Sequence, residues 1–231
     1  MSQRSQPLPR AAMRGIASGI IFMAFFGTLW SLIGVGGLQG WGAPWLLIVA
    51  LLIGVALLGG GVKLWRGAER LADETIPGAE TTGRWFGIVF AAAGIAIGIA
   101  SYLCNVTNRF DLFFPIMAII VGLHFLPLAR LFGVTFYYAV GTLLCLLGII
   151  ALLVVPVTVP LADRAMLGRS LLVGFGSAVI LWGTGLTLWR QGLESLRTTS
   201  LVSHNTRRER NPTCHRRYFC MASMGSDASP N

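Results

Sequence analysis

The segment LFFPIMAIIVGLHFLPLARLF, from Leu112 to Phe132, is apolar except for His124 and Arg130. A helix needs about 20 mostly apolar residues to cross a bilayer, and this segment is long enough. Similar segments occur at five other places, and none carries an acidic residue well inside it. The sequence therefore predicts an all-α, polytopic membrane protein with six transmembrane helices in one bundle, at about 15–38, 43–65, 85–104, 112–132, 134–156 and 167–189.

The composition agrees with this fold class. The chain of 231 residues is 55% hydrophobic and 12% charged, whereas soluble domains are about one quarter charged. The first apolar segment follows a basic start, as in a signal peptide. It is far longer than the roughly 7–15 apolar residues of a signal peptide, however, so we predict a retained helix.

The distribution of Lys and Arg predicts the orientation of the helices. With six spans, fifteen of the eighteen Lys and Arg residues lie on one side of the membrane. The positive-inside rule then places both termini in the cytoplasm. Residues 1–14 form a basic N-terminus, and residues 15–190 form the membrane domain. Because Arg far outnumbers Lys, we favour a bacterial chain in the cytoplasmic (inner) membrane, with the lipid bilayer as its surroundings.

Residues 191–231 form a polar, basic tail that we predict to be disordered. One interpretation is contact with anionic lipid through its arginines; the other is a solvated tail without a partner. Cys214, His215 and Cys220 have the wrong spacing and too few ligands for zinc, so we predict no metal site. The net charge of +9 mostly reflects the membrane asymmetry, and we expect no nucleic acid partner.

Two spans carry small residues on one helical face. Span three has five of them at spacings of four and three, namely Gly87, Ala91, Gly94, Gly98 and Ser101. Such faces let helix backbones approach closely. We predict that span three is central and packs tightly on a neighbour, with a substrate groove as the alternative. Gly15 and Gly19 in span one suggest the same packing, and either face could serve a homo-oligomer.

His124 is the strongest candidate for a polar contact inside the membrane. Pro127 lacks the N–H that would bond the carbonyl of Leu123, and its ring favours a kink. We therefore expect an unpaired carbonyl close to the imidazole, facing protein or a water-filled cavity. Tyr137 and Tyr138 lie closer to the cytoplasmic surface, and their contact with His124 depends on the kink. The alternative role of His124 is a neutral interhelical hydrogen bond.

Several functional classes lack their residues. A haem held by two histidines would need a second intramembrane histidine, and we predict no cofactor. Proton or sodium coupling commonly uses Asp or Glu within the membrane, whereas Asp111 and Asp163 lie at its edges. Nucleophilic catalysis needs an oriented base beside the nucleophile, and no motif joins Ser or Cys to His124. We predict no catalytic residues and no enzymatic activity.

The stretch GLHFLPLARLF (122–132), together with six spans, resembles small bacterial multi-pass membrane proteins of uncharacterised function. The resemblance covers spans four and five, and it implies a membrane location without implying a mechanism. Two hypotheses follow from the sequence as a whole. The chain binds or transports a small, weakly polar solute between spans three, four and five, or it is a structural or partner-binding membrane subunit without a transport pathway.

Overall fold

The computed structural model describes residues 10–69, 79–161 and 164–209. Its six α-helices are α1 (Arg10–Gly37), α2 (Ala43–Ala68), α3 (Ala79–Val106), α4 (Phe113–Phe132), α5 (Phe136–Leu153) and α6 (Gly168–Glu209). A single 3-10 turn precedes α4 at Phe110–Leu112. Two short strands, β1 (Thr158–Leu161) and β2 (Arg164–Leu167), lie between α5 and α6 and pair antiparallel, with Thr158 opposite Leu167.

Within the described ranges, six helices are long and apolar enough to cross a membrane, as many as the sequence predicts. Their bounds differ from the predicted ones because a helical backbone can continue beyond the apolar segment that identifies it. Helix α1 begins at Arg10 rather than at residue 15, and α3 extends over Ala79–Val106. Helix α5 ends earlier, at Leu153, three residues before Pro156, whose ring disfavours helix in the residue before it.

The tail that we predicted to be disordered is helical over its first half in the structure. Helix α6 continues to Glu209, so residues 191–209 are helical. The first turns of this helical extension pack against α2. Leu196 lies beside Gly67, and Gly192 lies beside Leu64. This apolar contact extends the helix past the predicted span, which ends at 189. Residues 210–231 lie outside the described part of the chain.

Helix α1 packs along both α2 and α6. At its closest approach to α6, Gly34 lies against Gly174, and a Cβ on Gly174 would collide with the backbone of Gly34. Interfaces of small residues allow such close helix packing in membranes, where lipid provides no hydrophobic driving force. The α1–α6 pair therefore depends on glycine at both positions.

Two tryptophans of α6 pack flat against glycines of neighbouring helices. A Cβ on Gly27 would lie 2.5 Å from Cδ1 of Trp182, and a Cβ on Gly60 would lie 2.9 Å from Cε2 of Trp189. Trp182 and Trp189 are seven residues apart, about two helical turns, so they lie along one side of α6. They join α6 to both α1 and α2.

Helices α4 and α5 form the second close pair. A Cβ on Gly122 would lie 2.7 Å from the carbonyl oxygen of Gly141, and one on Gly148 would lie 2.6 Å from that of Pro115. Phe125 and Leu144 are buried in the core that this pair shares with α1 and α6. Helix α3 packs mainly on α4.

Candidate functional site

His124 lies half-buried on α4, just past the middle of the predicted span. Its Nδ1 lies 2.6 Å from the carbonyl oxygen of Val121, one turn earlier on the same helix. A carbonyl can only accept, so Nδ1 carries the proton and donates. The observed acceptor is therefore the carbonyl of Val121.

Helix α4 continues through Pro127 to Phe132. Pro127 is exposed on the surface of the helix. Leu123, one turn earlier on the same helix, is also exposed, with 52% of its side chain accessible. These two residues face away from the protein, whereas Phe125 and Leu128 face the core. The kink at Pro127 stays a prediction.

The two tyrosines at the start of α5 differ in position. Tyr137 is half-buried, with its ring centroid 5.9 Å from that of Phe125, and Tyr138 is exposed. No described hydrogen bond or ring contact joins either tyrosine to His124. Phe125 lies between them instead, with its centroid 4.7 Å from the His124 ring. His124 and Tyr137 therefore share Phe125 as a ring neighbour.

A set of ring contacts that the sequence did not reveal holds α3 in place. The centroid distances are 5.7 Å for Phe22–Phe90, 6.1 Å for Phe86–Phe132 and 6.4 Å for Phe132–Tyr137. Phe86 and Phe90 stack on each other at 6.1 Å. We call these residues the aromatic arc, which joins α1, α3, α4 and α5: Phe22, Phe86, Phe90, Phe132 and Tyr137.

We predicted that span three lies at the centre of the bundle. Within one chain, helix α3 is not central, so this prediction is wrong. Only 6% of the most apolar window of α3 is buried, against 28% to 44% for the other five helices. Four residues of its small face are exposed and Ser101 is half-buried, and a Cβ on Gly87, Gly94 or Gly98 would meet nothing within 4 Å. The exposed residues include Ala91. The aromatic arc, not the small face, provides the inner contacts of this helix.

The glycines of span one contribute little to packing. A Cβ on Gly15 would meet nothing within 4 Å, and one on Gly19 would make ordinary contacts with Leu188 and with the hydroxyl of Tyr137. The close approaches of α1 occur further along, at Gly27 and Gly34. A spacing of four residues in the sequence therefore did not identify the glycines that pack.

Arg169 is a structural residue that the sequence pattern did not single out. Its Nη1 donates to Oδ2 of Asp111 at 2.5 Å, and its Nε donates to the carbonyl oxygen of Val155 at 3.1 Å. The first bond ties the start of α6 to the turn before α4, and the second reaches the chain just after α5. A cation at a helix C-terminus also interacts favourably with the helix dipole.

Within the described ranges, no group of three or more His, Cys, Asp or Glu side chains is arranged to hold a metal ion. Cys214, His215 and Cys220 lie outside those ranges, as do the arginines beyond Glu209 for which anionic-lipid contact was predicted. These predictions therefore stay predictions.

The fold places the chain in the class of multi-pass membrane proteins, by the length and composition of its six apolar helices. No family model matches the chain, and no curated protein or solved structure matches it.

Proposed function

We propose that the chain is an integral membrane protein that binds a small, uncharged or weakly polar solute beside the aromatic arc. One observation carries this proposal. The Nε2 atom of His124 and the hydroxyl of Tyr137 have no hydrogen-bond partner among the described residues, although both groups lie in apolar spans and pack against Phe125. Polar side chains in such segments commonly face a cavity and mark a solute pathway.

The chemistry of these two groups limits the solute. Because Nδ1 of His124 donates to Val121, neutral imidazole leaves Nε2 as an acceptor, while the hydroxyl of Tyr137 can donate or accept. Aromatic walls with a few placed polar groups are typical of small-molecule sites. The matching solute is compact and apolar and carries a hydroxyl or amide that can donate a hydrogen bond.

The proposal includes a location. We place the six helices as one bundle in the cytoplasmic membrane of a bacterium, with both termini in the cytoplasm. The support is the excess of Lys and Arg on one side, together with the resemblance to small bacterial six-span membrane proteins. No catalytic step is part of the proposal.

Cysteine accessibility tests the site. In a chain without native cysteines, we would introduce His124→Cys and expose intact cells and inside-out vesicles to a membrane-impermeant maleimide. A solute site implies that water reaches residue 124, so labelling from one side is expected. The cysteine-free chain is made by replacing four residues with Ser or Ala: Cys104, Cys145, Cys214 and Cys220.

The neighbouring residues provide matched controls. Leu123→Cys is exposed on the same helix but faces lipid, and Ala118→Cys is fully buried, so neither should be labelled. Arg66→Cys, at the exposed end of α2, should be labelled from the cytoplasmic side. If Arg66→Cys reacts and His124→Cys does not from either side, the solute site is excluded.

The exposed small face of α3 favours a second candidate function. A helix with 6% of its apolar window buried presents Gly87, Gly94 and Gly98 outward, where two backbones could approach closely. In this role the chain is a structural membrane subunit that self-associates through α3. The two functions are separable, because association does not require water at His124.

A further inference from the structure

A groove between α2 and α6 lies at the membrane end where α1 begins, which we call the basic end. Its cavity volume is about 720 Å³. The walls are aliphatic, with Val55, Leu58 and Val62 on α2 and Leu193 and Leu196 on α6. This surface is separate from the aromatic arc and from His124.

Two cations line the mouth of the groove. Lys63 and Arg66 are both exposed lining residues, and a spacing of three places them on one helical face. Among the described residues, neither has an ion-pair partner. The lining contains no carboxylate, although Glu69 and Glu194 lie nearby in the chain. The groove is thus apolar along its length and positive at one end.

The length of the groove matches one leaflet of a bilayer. The α2 residues that line it extend from Val55 to Gly67, which is about 18 Å at a rise of about 1.5 Å per residue. One leaflet contributes about half of a hydrocarbon core of about 30 Å. An acyl chain can therefore lie along the groove while its headgroup stays level with Lys63 and Arg66.

Glycine keeps the floor of the groove open. Gly59 lines it, and a Cβ at this position would meet nothing within 4 Å. A large side chain at residue 59 would therefore occupy the groove without forcing α2 away from its neighbours. This provides a way to block the groove that leaves its charge unchanged.

We propose that the α2–α6 groove holds one anionic phospholipid from the leaflet at the basic end. Its phosphate pairs with Lys63 and Arg66, and one acyl chain packs between Leu58 and Leu193. Basic pockets between helices on the cytoplasmic side bind anionic headgroups, and the charge of the mouth excludes a cationic ligand. The lipid is a resident partner, independent of the proposed solute.

Native mass spectrometry of the purified full chain, released from detergent with defined added lipid, tests this. The wild-type chain should retain one phosphatidylglycerol and no phosphatidylcholine. The variant Lys63→Gln/Arg66→Gln should lose about 30-fold in apparent affinity, which corresponds to about 1 kcal/mol for each basic residue. Gly59→Leu should abolish retention, because its side chain fills the path of the acyl chain.

The control Arg84→Gln/Arg130→Gln removes two exposed cations from the basic ends of α3 and α4, away from the groove. It should retain phosphatidylglycerol at the wild-type level, and Lys63→Arg should do so too. Unchanged helical circular dichroism and elution volume show that each variant is folded. Any of three results would overturn the proposal. They are equal losses of lipid in both double variants, normal retention by Gly59→Leu, and displacement of the lipid by millimolar inorganic phosphate.

Discussion

Arg169 and Asp111 form an ion pair across 58 residues of sequence, with Nη1 and Oδ2 2.5 Å apart. Their side chains are 16% and 28% exposed, so water screens this pair less than an ion pair on an open surface. Arg169 also donates to the carbonyl of Val155, and its Nη2 lies 3.5 Å from that of Leu152. One guanidinium therefore connects the start of α6, the end of α5 and the turn before α4.

This connection predicts coupled losses of stability. We expect Arg169→Gln to lower the melting temperature in detergent more than Asp111→Asn, because it also removes the bonds to backbone carbonyls. The double variant should lose less than the sum, with a coupling energy of about 1 to 2 kcal/mol. Arg109→Gln, an exposed arginine at the same end, is the control and should have no effect. Additive losses would show that the pair contributes nothing to stability.

The flat packing of tryptophan on glycine predicts which glycines are essential. Gly27→Ala should destabilise the chain by about 1 to 3 kcal/mol, the usual cost of overpacking, because its Cβ would meet Trp182 at 2.5 Å. Gly94→Ala should not destabilise it, since a Cβ there meets nothing within 4 Å. Thermal unfolding of both variants in the same detergent compares them directly. Equal melting temperatures would contradict the packing described for α1 and α6.

The hydrogen bond of His124 predicts a small effect of its loss on stability. The bond to Val121 lies within α4, so His124→Leu breaks no described hydrogen bond between helices. We expect a change within about 0.5 kcal/mol, below the average of about 0.6 kcal/mol for hydrogen bonds between helices in a membrane protein. Phe125→Ala, at a core position that is 2% exposed, should cost about 3 to 5 kcal/mol. A loss well above about 0.6 kcal/mol in His124→Leu would indicate an interhelical role instead.

The exposed face of α3 predicts self-association that bulky residues prevent. Gly94→Ile/Gly98→Ile would separate two backbones that cross at this face, so we expect a shift from dimer to monomer by light scattering in mild detergent. Gly36→Ile/Gly183→Ile adds the same bulk at two exposed glycines of α1 and α6, where a Cβ meets nothing within 4 Å, and should leave the distribution unchanged. A wild-type chain that is monomeric in detergent and in vesicles would exclude the structural-subunit function.

Much of the fold could be predicted from each segment of the sequence on its own. Whether a segment crosses the membrane depends on the length and polarity of that segment, so Leu112–Phe132 and its five counterparts were recognisable without knowledge of their neighbours. The helical extension over 191–209 was not, because it depends on contact between Leu196 and Gly67 on another helix. Local composition there indicates only a polar, basic chain.

The candidate site was predictable in part. His124 is conspicuous because a polar ring interrupts an apolar segment, but its acceptor and its separation from Tyr137 depend on rotamers and on Phe125 between them. No pattern in the sequence identifies the aromatic arc, since its phenylalanines resemble any residues that face lipid. Gly87, Gly94 and Gly98 had the stronger sequence pattern, yet Gly27, Gly34 and Gly122 make the close contacts.

The membrane class of this protein, the number of its candidate spans and the uneven distribution of its charge can be derived from the sequence alone. These properties follow from the free energy of moving each segment between water and lipid, which is a local quantity. The folded arrangement was needed to show which helix faces meet, which glycines pack against tryptophans and which carboxylate pairs with Arg169. Those outcomes depend on shape complementarity between segments far apart in the chain, because lipid and protein interior are equally apolar and hydrophobicity cannot distinguish the faces.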